Sequence, residues 1–367
     1  MKLHQKYKPK GRASKHCLYT RLGCCRSAAF LLLSLILAPA FLTECSIRND
    51  IYDSDVHDEQ EQAGRASAGQ IYIEFPKNQT VRTLDVFIFD DDSLGKLDSY
   101  RHFDSPVSFR FKGASGNGAK IAAVTANVPA EKFCWDNVTS LQALRSLTML
   151  LEEESIQSPV MSGICRMQAG YTGGADISLS TLGSRISLRS IRCDFSGMPY
   201  EGQRLEDVKA YLVNASGSVP VIPDTEYVPG VWLDRGRAVT ADTAGMKGIL
   251  YGEIPGSIGP ETLAPGLEFY CYPNEMEAES FGMPFTRLVI EGKLMGRTCY
   301  YPININRAGF GFAGGIQGLS RNTAYYIDLS IFRAGTDDPD TPAEAGMAAV
   351  TGNVLPWFEK DADFVEF

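Results

Sequence analysis

The feature that most constrains this chain is a long succession of short β-branched and aromatic segments separated by turn residues. Residues 71–75 and 84–89 open the series, and comparable segments recur along the rest of the chain. Only residues 140–153 carry a helical pattern, with leucines on one face and Ser140 or Thr139 placed to cap. Many short strands without an alternating strand–helix rhythm are typical of antiparallel sheets. The sequence therefore predicts an all-β chain with one short helix, folded as two antiparallel β-sandwich domains.

An irregular stretch separates two runs of these segments. Residues 214–248 lack a strand pattern and contain Pro220, Pro223 and Pro229. We place the domain boundary in this stretch, which gives an N-terminal domain at residues 70–217 and a C-terminal domain at residues 218–367.

The amino terminus has the pattern of an export signal. Residues 1–27 carry eight lysines and arginines and no acidic residue, and residues 28–42 are apolar except for Ser34. A helix over residues 28–42 spans about 22 Å, less than the roughly 30 Å hydrocarbon core of a bilayer. The pattern predicts a secretory signal peptide at residues 1–44, with a short amino-terminal anchor as the alternative.

A cysteine follows this segment at the spacing of a lipidation site. Leu42 stands three residues before Cys45, which resembles the lipobox of bacterial lipoproteins. The resemblance implies acylation of Cys45, with palmitate-type chains inserted into the outer membrane; the alternative is an ordinary cysteine after a signal peptide. Residues 45–69 are polar, acidic and without periodicity, which predicts a flexible tether between lipid and folded body.

Charge and histidine content exclude several classes of function. The formal net charge is −9, and beyond residue 44 the histidines are His57 and His102. An acidic chain repels phosphate backbones, so nucleic-acid binding is not expected. Serine–histidine hydrolysis and histidine-rich zinc sites lose their main residue. We predict no catalytic residue, no metal site, no cofactor and no enzyme activity.

The acidic clusters and the aromatic clusters each have two interpretations. The acidic runs 90–92 and 337–340 fit solvated turns or weak calcium sites. The aromatic residues of the second half fit either core positions on strands or an exposed platform for carbohydrate or protein. They are Phe269, Tyr270, Tyr272, Tyr300, Tyr301, Tyr325 and Tyr326.

Several segments, in order, resemble the fimbrillin-type subunits of Bacteroidales type V pili. They are residues 84–90, 122–127, 159–163, 179–191, 270–274, 286–292, 301–303, 321–328 and 335–340, followed by Trp357. The resemblance implies two transthyretin-like β-sandwiches that reach the cell surface as a lipoprotein. For stalk-type members it also implies that an arginine- or lysine-specific protease removes the first strand and that a strand from another subunit fills the groove left behind.

The residues for such a mechanism are present at both ends of the body. Residues 70–75 form the candidate first strand, with Arg82 after it and Arg65 before it as candidate cleavage sites; the alternative for Arg82 is a hairpin turn. Residues 348–367 form the candidate donor segment, and the alternative is a final pair of strands packed within their own domain. The candidate donor side chains are Val350, Val354, Trp357, Phe364, Val365 and Phe367.

The expected function is that of a stalk or accessory subunit of a cell-surface fimbria that supports adhesion. Its expected partners are other fimbrial subunits, an arginine-specific surface protease and outer-membrane lipid through Cys45. The alternatives are an uncut pilus anchor and a lipid-anchored surface protein that binds glycans or proteins.

Overall fold

The computed structural model describes residues 70–76, 79–106, 109–112, 118–168, 174–223, 227–235, 246–309, 311–312, 317–344 and 346–357. These residues belong to one compact unit, Gln62–Phe367. The predicted signal peptide, Cys45, the tether and Arg65 lie outside the described residues, as do Phe364, Val365 and Phe367.

Strands make up most of the regular secondary structure of the described chain. In the first half they are β1 (Gln70–Glu74), β2 (Thr83–Asp90), β3 (Leu97–Asp104), β4 (Phe109–Lys112), β5 (Lys120–Ala126), β6 (Thr148–Leu150), β7 (Met161–Met167), β8 (Gly174–Ser178), β9 (Ser180–Thr181) and β10 (Ser184–Cys193). In the second half they are β11 (Glu206–Val213), β12 (Ala215–Ser216), β13 (Ser218–Pro220), β14 (Trp232–Leu233), β15 (Tyr251–Glu253), β16 (Leu267–Cys271), β17 (Arg287–Leu294), β18 (Arg297–Asn304), β19 (Thr323–Ile331) and β20 (Ala348–Pro356). The helical elements are α1 (Leu141–Arg145) and two 3₁₀ turns, Trp135–Asn137 and Leu151–Glu153. The all-β prediction with one short helix is confirmed.

Eight of the first nine strands form the N-terminal sandwich, and the remaining one, β6, pairs with β13 instead. A five-stranded sheet has the order β3-β2-β5-β7-β9, and a three-stranded sheet has the order β4-β1-β8. Apolar side chains from β1 and β8 pack against those of β2, β5 and β7 in one cluster. The opposite face of the five-stranded sheet packs on α1, through Phe87, Phe89, Leu141 and Leu144.

The later strands supply the C-terminal sandwich. Its two sheets have the orders β16-β10-β19-β20 and β15-β11-β17-β18. Their facing side chains form the largest core cluster, which includes Leu188, Ile290, Tyr301 and Ile327. Pairing is antiparallel except for β1 with β8 and β10 with β19.

The predicted helix over residues 140–153 is shorter than its pattern indicates. Of the two capping candidates, Ser140 caps the helix, with Oγ accepting from Ala143 N at 3.2 Å, but the helix ends at Arg145. Thr148–Leu150 instead forms β6 and pairs with Ser218–Pro220 of β13. The helical prediction for 146–150 is therefore wrong, because pairing with a strand about 70 residues away overrides a local pattern, and residues 151–153 form only a 3₁₀ turn.

The strand pairings also differ from the predicted grouping of strands. Strands β10 and β11 precede residue 217, yet they pair with β16, β19, β15 and β17 of the C-terminal sandwich. Residues 218–222, expected in a connection, include the fully buried Val221 and Ile222. The chain therefore passes from the sheets of the N-terminal sandwich to those of the C-terminal sandwich near residue 183. The domain boundary at residue 217 stays a prediction.

Candidate functional site

The first strand lies in the middle of its sheet. Strand β1 pairs antiparallel with β4 on one side and parallel with β8 on the other. Its Ile71 side chain is fully buried and Ile73 is 6% exposed. Because β4 and β8 pair with β1 and not with each other, loss of β1 would expose two unpaired strand edges.

The floor beneath β1 is apolar. Ile71 and Ile73 pack on Leu84, Val86, Val124 and Met161, among others in the same cluster. Burial of an isoleucine side chain contributes about 1.5–3 kcal/mol. Without β1 this floor would face water, so it favours any apolar strand that takes the same place.

The candidate cleavage site Arg82 is exposed in its side chain and held in its main chain. Arg82 N donates to Asn127 Oδ1 at 2.7 Å, and Ser105 N donates to the Arg82 carbonyl at 2.6 Å. Asn127 Nδ2 donates in turn to the Thr80 and Pro159 carbonyls at 3.0 and 3.1 Å. The peptide bond after Arg82 is therefore part of a hydrogen-bonded segment that a protease must first open.

Asn127 is a functional candidate that the sequence analysis missed as an individual residue. It stands just after β5 with φ at 59°, in the left-handed region that asparagine tolerates better than most residues. An asparagine directly after an apolar strand is a signal for such a position, but the sequence does not reveal which chain segment the side chain holds.

The last described strand is paired within its own chain. Strand β20 pairs antiparallel with β19 over its whole length, from Ala348 opposite Ile331 to Pro356 opposite Thr323. Val350 packs against the core of the C-terminal sandwich, whereas Val354 is 37% exposed. The alternative of a final strand paired within its own domain thus describes 348–356 in the single chain, and the donor role stays a prediction.

Trp357 directly follows β20 and packs against the sheet that β20 belongs to. Its backbone N donates to Asn322 O at 2.8 Å, and its ring centroid lies 5.5 Å from that of Tyr270. The Arg185 guanidinium lies 5.9 Å from the Trp357 ring and 5.7 Å from the Tyr326 ring. These contacts fix the end of β20 in the single chain.

Beside Trp357 lies a small cavity with a buried carboxyl group. The cavity measures about 20 Å³ and is lined by Glu154, Tyr272 and Trp357, among others. Glu154 accepts hydrogen bonds from Val160 N at 2.6 Å and from the Tyr272 hydroxyl at 2.7 Å. Burial raises the pKa of Glu154 to about 7, and these two hydrogen bonds oppose the rise. Nothing in the sequence of the acidic run 152–154 indicates which of its three carboxyl groups is enclosed.

The structure places the candidate first strand and the candidate donor strand in different sheets. Arg82 and β1 belong to the N-terminal sandwich, and β20 belongs to the C-terminal one. The first strand and the donor candidate therefore do not contact one another as sheet neighbours in the single chain.

The aromatic residues of the second half are largely core, as one of the two interpretations held. Phe269, Tyr272, Tyr301 and Tyr325 are almost fully buried. The acidic run 90–92 forms a turn, in which Asp92 Oδ1 accepts from Leu94 N and Gly95 N at 2.9 and 2.8 Å. In the run 337–340, Asp337 pairs with Arg297 and Asp340 pairs with Arg287. The described stretches contain no group of three or more His, Cys, Asp or Glu side chains placed to hold a metal ion.

None of the helices in the described part of the chain has the length and hydrophobicity that crossing a bilayer requires.

Comparison with known proteins gives structural matches without sequence matches. No family model matches the sequence, and no curated protein matches it. A fimbrilin from Porphyromonas gingivalis W83 superposes with a TM-score of 0.57 at 17% identity, covering 80% of this chain and 99% of that one. A protein from Bacteroides eggerthii DSM 20697, described with a proposed role in cell adhesion, gives 0.58 at 17% identity, over 81% and 98%.

A third match is the tip fimbrial protein Mfa3 of Porphyromonas gingivalis, determined with a C-terminal truncation. Its TM-score is 0.50 at 12% identity, with 79% of this chain and 99% of that chain covered. The matched structures are fimbrial and adhesion proteins, not enzymes. At these identities the likeness is one of fold, and the chain has the β-sandwich fold of the fimbrilins, as its sequence resemblance implied.

Proposed function

We propose that this chain is a stalk or accessory subunit of a cell-surface fimbria that supports adhesion. In this proposal it is exported as a lipoprotein acylated at Cys45 and assembles by strand exchange after cleavage at Arg82. The observation that carries the proposal is the position of β1, which lies between β4 and β8 with its apolar side chains on the sandwich core. The fimbrilin fold of the chain supports the same role.

Removal of β1 creates a site for a strand from another molecule. The edges of β4 and β8 offer main-chain hydrogen bonds on both sides, and the apolar floor offers positions for alternate side chains. Strand addition of this kind takes its affinity from the backbone and its specificity from alternate pockets. The partners are therefore other fimbrial subunits, including further copies of this chain.

The donor in this proposal is the carboxy-terminal segment of a second subunit. In β20, the residues at 348, 350, 352 and 354 share one face, and the strand carries no charged residue. Residues on that face recur at every second position, as Ile71 and Ile73 do in β1, so they match the positions that these two isoleucines occupy. An uncharged donor also avoids burying a charge in the groove.

The protease step is tested on the full chain with an arginine-specific protease. We expect a mature chain that starts at Thr83, followed by heat-stable polymers on denaturing gels. Arg82→Gln is expected to block both products, while Arg166→Gln, at another exposed arginine, is a matched control that leaves them unchanged. Polymers formed by an Arg82→Gln chain with an intact first strand would contradict the proposal.

The donor step is tested by two neighbouring exposed residues on opposite faces of β20. Val354 is 37% exposed and Leu355 is 45% exposed, so neither Val354→Asp nor Leu355→Asp buries a charge completely in the single chain. As a donor, Val354 would enter the groove and Leu355 would face away from it. We expect Val354→Asp to stop polymer growth and Leu355→Asp to permit it; equal behaviour of the two variants would refute the assignment.

A second candidate role is an anchor subunit that keeps its first strand and its lipid. The specific observation in its favour is the hydrogen bonding of the Arg82 main chain by Asn127 and Ser105, which resists cleavage. The amino terminus of the protein taken from its own cells separates the two roles. A start at Thr83 supports the cleaved subunit, and an acylated Cys45 supports the anchor.

A further inference from the structure

A short hairpin in the C-terminal sandwich presents an aromatic ring to solvent. Ser280 and Met283 exchange two main-chain hydrogen bonds of 3.1 Å, which places Phe281 and Gly282 at the tip. The Phe281 side chain is 95% exposed, the highest value among the large exposed hydrophobic residues of the described chain. Isolated exposed apolar residues are common, so this ring needs its surroundings to carry meaning.

The base of the hairpin is held by a buried guanidinium group. Arg287 is 3% exposed, and its Nη2 lies 2.7 Å from both carboxylate oxygens of Glu279. Its Nη1 donates to Asp340 Oδ1 at 2.6 Å. The buried Asn214 amide donates to the same Asp340 oxygen at 2.8 Å. Two carboxylates are thus fixed in position before any ligand arrives.

Both carboxylates remain accessible from outside. The Glu279 and Asp340 side chains are 35% and 40% exposed, and Asp340 Oδ2 has no hydrogen-bond partner among the described residues. They line a surface cavity of about 630 Å³, a size that suits a small ligand. The cavity is lined by Asn214, Arg235, Glu279, Phe281, Pro284 and Asp340, together with Ser280.

Arg235 completes the rim on the side of the aromatic ring. Its guanidinium carbon lies 4.7 Å from the centroid of Phe281, within the range of a cation–π contact. The guanidinium group occupies one face of the ring and has N–H groups at its edges to donate. The charges of Arg235 and Arg287 offset those of Glu279 and Asp340, so the cavity as a whole favours a neutral ligand over an ion.

We propose that this cavity binds a neutral pyranose sugar of a glycan chain. The C–H face of a pyranose ring stacks on an exposed aromatic ring such as Phe281. Sugar hydroxyl groups donate to carboxylate oxygens such as those of Asp340, and they accept from guanidinium N–H groups such as those of Arg235. Fixed polar groups beside an exposed ring give orientation without the cost of ordering the site on binding. The site is independent of the strand-exchange groove, which lies in the other sandwich.

The test measures sugar binding to the full chain in detergent by saturation-transfer NMR. The probes are mannotriose, chitotriose and lactose, each at tens of millimolar, with sialyllactose as an anionic comparison. We expect at least one neutral sugar to bind, Phe281→Ala to weaken it by at least tenfold, and Phe281→Tyr to retain it. Leu94→Ala, at another exposed apolar residue, is the matched control and leaves binding unchanged.

Each outcome decides the proposal. Because Phe281 is exposed, its replacement leaves the melting temperature unchanged, and lost binding then reports on the site rather than on folding. Failure of all three neutral sugars to bind overturns the proposal, as does equal binding by the Phe281→Ala chain. A preference for sialyllactose overturns the assignment of a neutral ligand. None of these results depends on whether the chain polymerises.

Discussion

The buried carboxyl group of Glu154 makes the stability of the C-terminal sandwich depend on pH. Its pKa is raised from 4.5 to about 7, chiefly because burial disfavours the charged form. The folded chain therefore binds the proton more tightly than the unfolded chain. Stability from this group is fully present below pH 4.5, falls as the pH rises, and is lost above about pH 7.

The size of the effect follows from the shift. One pKa unit corresponds to about 1.4 kcal/mol, so a shift from 4.5 to about 7 corresponds to about 3 kcal/mol. The neighbouring Tyr272 stays protonated over this range, because burial and the Glu154 charge raise its own pKa. It can therefore donate to Glu154 or accept from an amide at the same position.

The assay compares urea unfolding of the native chain with that of Glu154→Gln between pH 4 and pH 9. Glutamine keeps an oxygen for Val160 N and carries no charge, so we expect the variant to gain up to about 3 kcal/mol over the native chain above pH 7. The difference should shrink to a constant below pH 4.5. Other titrating groups are common to both chains and cancel in the difference.

Glu152→Gln is the matched control, because Glu152 is exposed and its charge stays in water in both states. Its difference curve against the native chain should be flat. A Glu154→Gln curve that is equally flat would refute the reasoning, since the carboxyl would then be as well solvated in the folded chain as in the unfolded one.

Three further predictions concern the first strand and its surroundings. Ile71→Ala should lower the free energy of unfolding of the uncut chain by about 2–5 kcal/mol because it leaves a cavity, whereas Tyr72→Ala on the opposite face should lower it less. Equal losses of the two variants in urea unfolding would mean that β1 does not pack as described. Asn127→Gly keeps the positive φ but removes the hydrogen bonds to Arg82, Thr80 and Pro159, so an arginine-specific protease should cleave faster after Arg82. Asn353→Gly is the control, and an unchanged cleavage rate in Asn127→Gly would show that these bonds do not protect the site. Gly163→Ala places a Cβ atom 2.5 Å from Ile177 Cγ2 and 2.8 Å from Ser178 O, which should lower the melting temperature, whereas Gly230→Ala, with open space around it, should not. A Gly163→Ala chain as stable as the native one would contradict the close packing of β7 on β8.

Much of the site's framework could be predicted from local sequence. The alternation in residues 70–75 places Ile71 and Ile73 on one face, and the structure buries that face. Ser140 caps the helix where its side chain and the following leucines indicate. These two local patterns are kept in the folded chain because neighbouring residues produce them and no distant partner overrides them.

Contacts between distant residues decided the rest. The helix stops at Arg145 because β6 finds its partner at β13, and β10 joins the later strands because β16 and β19 lie on either side of it. The hydrogen bonds of Asn127 to the Arg82 segment, the burial of Glu154 and the cavity beside Phe281 likewise need partners that are far apart in the chain. The sequence by itself determined that the chain forms many short strands and which faces of strands such as β1 are apolar, since these features depend on adjacent side chains. Only the tertiary structure decided which strands pair and which polar groups are enclosed, because those free energies arise between segments that meet only in the folded chain.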